Sequence, residues 1–73
     1  MKLNKKYRVL IGIDDKPLLN IIDKNFPKEE IFSDDSFLYG VVSIIISAKN
    51  KDDLYIYLRS LQIFITDIIS IEV

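Results

Sequence analysis

"YRVLIGIDDKPLLNII", Tyr7 to Ile22, changes period halfway along. Up to Ile13 it alternates. Tyr7, Val9, Ile11 and Ile13 take one face, and Arg8, Leu10 and Gly12 take the other. Period two with β-branched side chains predicts a strand. Asp14 or Asp15 then offers a carboxylate to the free amides of a helix start. Pro17 suits the first turn, where no intrahelical donor is required. Leu18, Leu19, Ile22 and Phe26 follow at helical spacing and make one apolar face. Pro27 stops that helix.

The same two periods recur downstream. Glu30 to Ser33 is a short strand candidate, and Asp34-Asp35-Ser36 is turn material. Phe37 to Ala48 is the longest strand, apolar on both faces. That pattern predicts a central strand covered on each side. Asn50 opens a second helix, and Asp53 three residues on resembles a capping box with a shortened acid. Leu54, Leu58 and Leu61 form its buried stripe, with Tyr57 alongside. Asp67 to Val73 alternates again, with Ile69, Ile71 and Val73 against Ile68, Ser70 and Glu72. The element order is β-α-β-β-α-β. Two one-faced helices can cover one face of a sheet, and the right-handed crossover rule selects the split arrangement. The expected fold is therefore α+β, a ferredoxin-like sandwich. Its four-stranded antiparallel sheet runs in the order 4-1-3-2, with both helices on one face.

The 73 residues suffice for one domain. A domain of this size buries only about 60% of its unfolded surface. The chain has no cysteine and no histidine. That removes disulfides, thiolate metal sites, iron–sulfur ligation, metallochaperone chemistry and phosphohistidine transfer. No arginine stands in the first strand–helix loop to hold a phosphate as an acylphosphatase-like site would, since Arg8 lies mid-strand. No glycine-rich phosphate loop is present. The acids come in pairs, Asp14-Asp15, Glu29-Glu30, Asp34-Asp35 and Asp52-Asp53, at turns and helix starts. Two adjacent carboxylates fall short of the about 6–8 oxygen ligands calcium takes. No enzyme, no metal and no cofactor is expected. No basic-then-apolar leader opens the chain, and no apolar run nears the ~20 residues of a membrane helix. A cytoplasmic protein without membrane contact is the expectation.

The formal net charge of −1 argues against nucleic acid. The RNA-recognition motif has the same element order, and its aromatic third strand corresponds to "FLYGVVSI", Phe37 to Ile44. Tyr39, Gly40 and Val42 fit, but Val41 stands where the second stacking ring belongs. The basic stretch from Lys2 to Arg8 is the remaining support for RNA binding.

"GIDDKPLLNII" resembles the start of an ACT domain, the ligand-sensing module appended to amino-acid biosynthetic enzymes. Asp15, Lys16 and Pro17 match the Asp-basic-Pro opening of that family's first helix. Leu18 stands where the family has glycine, and the apolar residue comes one place early at Leu19. "YRVLIG" and "GVVSIIISAKNKDDLYIYLRSL" look equally like the YbeD-like family, small bacterial proteins with an ACT-like fold. The resemblance implies a regulatory or interaction module that oligomerises. It also makes Gly12, Ile13, Asp14, Asp15, Lys16 and Pro17 the candidate ligand site. Leu18 puts the family's usual amino-acid sensing in question. A leucine there either blocks the approach to the backbone or turns inward.

An uncovered sheet face would hold Leu10, Tyr39, Val41, Ile45 and Ile68, with Phe37 at its margin. A patch of that kind marks an interface. A homodimer through this face or through an edge strand is expected, with a further protein partner of unknown identity. The alternatives are an RNA-binding domain on the open face, or a structural dimerisation or inhibitor protein from a mobile element.

Overall fold

The computed structural model describes residues 4–26, 31–32 and 38–73. The first element is β1, Lys5–Ile13, whose alternate residues Tyr7, Val9, Ile11 and Ile13 are buried. It leads into α1, Lys16–Asn25. Asp15 is the N-cap: its Oδ1 accepts the Leu18 N–H at 2.9 Å. The segment β2, Ile31–Phe32, is two residues long. Then come β3, Gly40–Ala48, α2, Lys51–Ser60, a single 3₁₀ turn over Ile65–Asp67, and β4, Ile68–Glu72. Asn50 caps α2 by accepting the Asp53 N–H at 2.8 Å.

The expected four-stranded ferredoxin-like sheet is corrected by this structure. Three strands of substantial length make the sheet, β3-β1-β4, all antiparallel. Hydrogen-bonded order extends to β2-β3-β1-β4, but β2 adds only the pairs Ile31↔Val42 and Phe32↔Val41. The architecture is a three-stranded α+β sheet with a two-residue ladder on one edge. The sequence supplies the reason. Only Ile31 and Phe32 separate Glu29-Glu30 from Ser33-Asp34-Asp35, too short an apolar run to hold a full edge strand. Glu30, Ser33, the Asp34-Asp35 turn and the Pro27 stop lie outside the described residues.

One core lies between the helices and one sheet face. Tyr7, Val9, Ile11 and Ile13 of β1 join Val42, Ile44, Ile46 and Ala48 of β3. Leu18 and Ile22 of α1, Leu54 and Leu58 of α2, and Ile63 complete it. The ladder keeps the two strand faces in step: Val9 lies opposite Ile44, and Ile11 opposite Val42. Burying each such side chain contributes about 1.5–3 kcal/mol.

Two boundaries differ from the sequence expectation. The long strand begins at Gly40 instead of Phe37. Gly40 has φ 112°, a conformation that a Cβ would resist, so the strand is entered through a bend at Leu38 and Tyr39. The last strand begins at Ile68, because Asp67 is committed to the 3₁₀ turn. Its carboxylate accepts the Phe64 N–H at 3.0 Å, and its own N–H donates to the Phe64 carbonyl at 2.8 Å.

β4 also carries a register shift. Leu10 pairs with Ser70, yet the next residue, Ile11, pairs with Ile68. Ile69 is the extra residue of a β-bulge. A one-residue insertion reverses which face every later side chain occupies. Ile68 and Ile71 therefore both pack against the core, while Ile69 is 49% exposed.

Candidate functional site

The first strand–helix loop is assembled as a cap. Gly12 and Ile13 are buried within β1, and Asp14, Asp15, Lys16 and Pro17 are exposed. Asp15 spends its carboxylate on Leu18 N–H, and its carbonyl accepts the Leu19 N–H at 3.3 Å. Leu18 turns inward and joins the core. The Leu18 and Leu19 amides at this helix start are already occupied from within the chain. Beside the loop lies an open hollow of about 240 Å³ whose lining includes Asp15, Pro17, Ile21, Gln62, Thr66 and Asp67. Both of its carboxylates are engaged, Asp15 in the helix cap and Asp67 in the 3₁₀ turn. Gly12, Ile13, Asp14 and Lys16 do not line it. The structure thus brings only part of the candidate loop to a concavity. Among the described residues no three carboxylates converge as metal ligands would.

The sheet face away from the helices is read from the ladder. It carries Lys6 and Ser47, then Arg8, Ile45 and Glu72, then Leu10, Ser43 and Ser70, then Gly12 and Val41. Each group shares one rung. This face is more polar than the sequence expectation. Ile68 is not on it, because the bulge sends that side chain to the core face. Val41 lies on it opposite Gly12 but is only 8% exposed. Leu10 is half-buried. Tyr39 is exposed and donates its N–H to the Ile13 carbonyl at 2.9 Å. Ile45 is 56% exposed at the middle of the face. Phe37 lies outside the described residues. Of the six candidate interface residues, Ile45 and Tyr39 are the two the structure displays.

No family model, no curated protein and no solved structure matches this chain. The resemblance to ACT and YbeD-like domains thus stands on the residues quoted for it. Among the described residues no helix is long and apolar enough to cross a membrane.

A third surface was not foreseen from the sequence. It lies between α2 and the segment that follows it. Tyr55, Arg59, Ile63, Phe64 and Ile65 line a groove of about 270 Å³. A legible signal existed: Ile63-Phe64-Ile65 is an apolar triplet that continues neither the helical stripe nor the final strand.

Proposed function

We propose that this chain is a non-catalytic regulatory or protein-interaction module that self-associates through the helix-free face of its sheet. The observation that carries the reading is Ile45, a large apolar side chain more than half exposed between Arg8 and Ser47. Serines at positions 43, 47 and 70 leave room for a second sheet to approach closely. Arg8 and Glu72 stand opposite one another across β1 and β4. A two-fold pairing of faces can therefore set cation against anion around an apolar centre. Among the described residues Tyr7 is the one buried side chain that carries a polar group, whereas burial is the usual means of tuning a catalytic group. That supports a binding role over a catalytic one, in keeping with the ACT-domain resemblance. We place this action in the cytoplasm, in keeping with a cysteine-free sequence.

Lys6 and Arg8 share the face with Ile45, which favours RNA as the second reading. Ile45→Glu separates the two. Sedimentation velocity at high micromolar concentration should show a dimer for the parent chain and a monomer for the variant, with melting temperatures that agree at low concentration, where both chains are monomeric. A monomeric parent that shifts an RNA probe at moderate salt would replace self-association with RNA binding. A monomeric parent that shifts nothing would defeat both readings of this face.

A further inference from the structure

The groove beside α2 is built by a strained helix ending. Gln62 adopts φ 65°, a left-handed conformation that costs an ordinary L-residue about 1–2 kcal/mol. Gln62 N–H donates to the Arg59 carbonyl and Ile63 N–H to the Leu58 carbonyl, each at 2.9 Å. Together these bonds make a Schellman motif. The motif reverses the chain so that Ile63 drops into the core against Leu58. The next two residues face the other way: Phe64 is 50% exposed and Ile65 67% exposed. The 3₁₀ turn clamped by Asp67 holds them there.

Four of the five lining residues are aromatic or aliphatic, and Arg59 is the one charged member. A guanidinium presents paired donors that match a carboxylate, and apolar walls strengthen that pairing by lowering the local dielectric. One cation balances the single charge of a carboxylate, whereas a phosphate carries about −1.5 to −2 and would stay partly uncompensated. The volume falls just below the range of about 300–1,000 Å³ usual for small-molecule pockets. It suits one ring or one branched aliphatic group, not a folded partner.

We propose that this groove binds a small monocarboxylate carrying one aromatic or branched aliphatic group. The hydrocarbon part lies against Tyr55, Phe64 and Ile65, and the carboxylate lies on Arg59. The groove's lining shares no residue with the helix-free sheet face, so the two proposals stand or fall separately.

The test is a methyl and amide NMR titration with 3-phenylpropanoate, run beside 3-phenylpropanamide. Arg59→Gln is titrated in parallel. Arg59 contributes only its carbonyl to the helix ending and its side chain is exposed, so the variant keeps the fold. The acid should shift the Ile63 and Ile65 methyls and the Phe64 amide. Binding should weaken about tenfold or more for the amide, and likewise for the acid on Arg59→Gln, because each removes a charge-assisted pair. Equal binding of acid and amide would overturn the proposal, as would shifts confined to other surfaces or no shifts at millimolar acid. The amide comparison uses the parent chain alone and decides the matter even if Arg59→Gln unfolds.

Discussion

Replacing Gln62 by glycine should stabilise this protein, although glycine next to a helix end ordinarily adds disorder to the unfolded chain. Gln62 sits at φ 65°, where its Cβ crowds the backbone. Removing that crowding returns about 1–2 kcal/mol. The added freedom of glycine in the unfolded chain takes back about 0.4–1 kcal/mol. The hydrogen bonds from Gln62 and Ile63 to the helix carbonyls are backbone bonds and survive the change. The net gain is about 0.5–1 kcal/mol, or a rise in melting temperature of about 2–8 °C for a domain of this size. Gln62→Val is the opposing variant. A β-branched residue resists the left-handed region more than glutamine does, so its melting temperature should fall. Circular-dichroism melts and urea titrations measure both, with unchanged denaturant slopes as the sign that only native stability moved. Glycine and valine variants that melt together, or a glycine variant that melts below the parent, would refute the left-handed helix ending. Phe64 and Ile65 would then have no chain reversal to turn them outward.

Other outcomes follow from single contacts. Asp15→Ala and Asn50→Ala each remove a side-chain cap and should each cost about 1 kcal/mol in urea titrations, with Asp15→Asn and Asn50→Asp close to the parent. The bulge in β4 makes neighbouring isoleucines unequal. Ile68→Ala should destabilise by about 2 kcal/mol or more, whereas Ile69→Ala should change stability by less than about 1 kcal/mol. Equal effects would mean that β4 pairs with β1 without the inserted residue. Ile11→Ala, at the centre of the sheet, should cost about 2–5 kcal/mol. That is a large part of the total for 73 residues, about 4–11 kcal/mol.

Much of the fold was legible because it is locally encoded. The alternation of Tyr7, Val9, Ile11 and Ile13 is a property of consecutive residues, and it named the buried face of β1. Asp15 and Asn50 were readable as caps because a cap bonds to an amide three positions away. Leu54 and Leu58 were readable as core because helical spacing puts them on one stripe. The candidate ligand loop was readable too, and the structure accounts for most of it as a strand end and a helix cap. Leu18, which departs from the ACT pattern, is core.

Three features depended on distant partners. Among the described residues the second strand is Ile31–Phe32, and the pairing of an edge strand is drawn from its neighbour, here Val41 and Val42 of β3. The uncovered face came out more polar than expected because its membership is set by register across strands. A single inserted residue, Ile69, carried Ile68 from that face to the core, and alternation along β4 alone contains no mark of it. The apolar groove at Arg59 arose where the end of α2, a left-handed glutamine and a 3₁₀ turn meet. Strand and helix periods, and the caps that separate them, are therefore written in adjacent residues. Register, bulges and concave surfaces are decided by hydrogen bonds and packing between segments far apart in the chain, and only the folded molecule contains those.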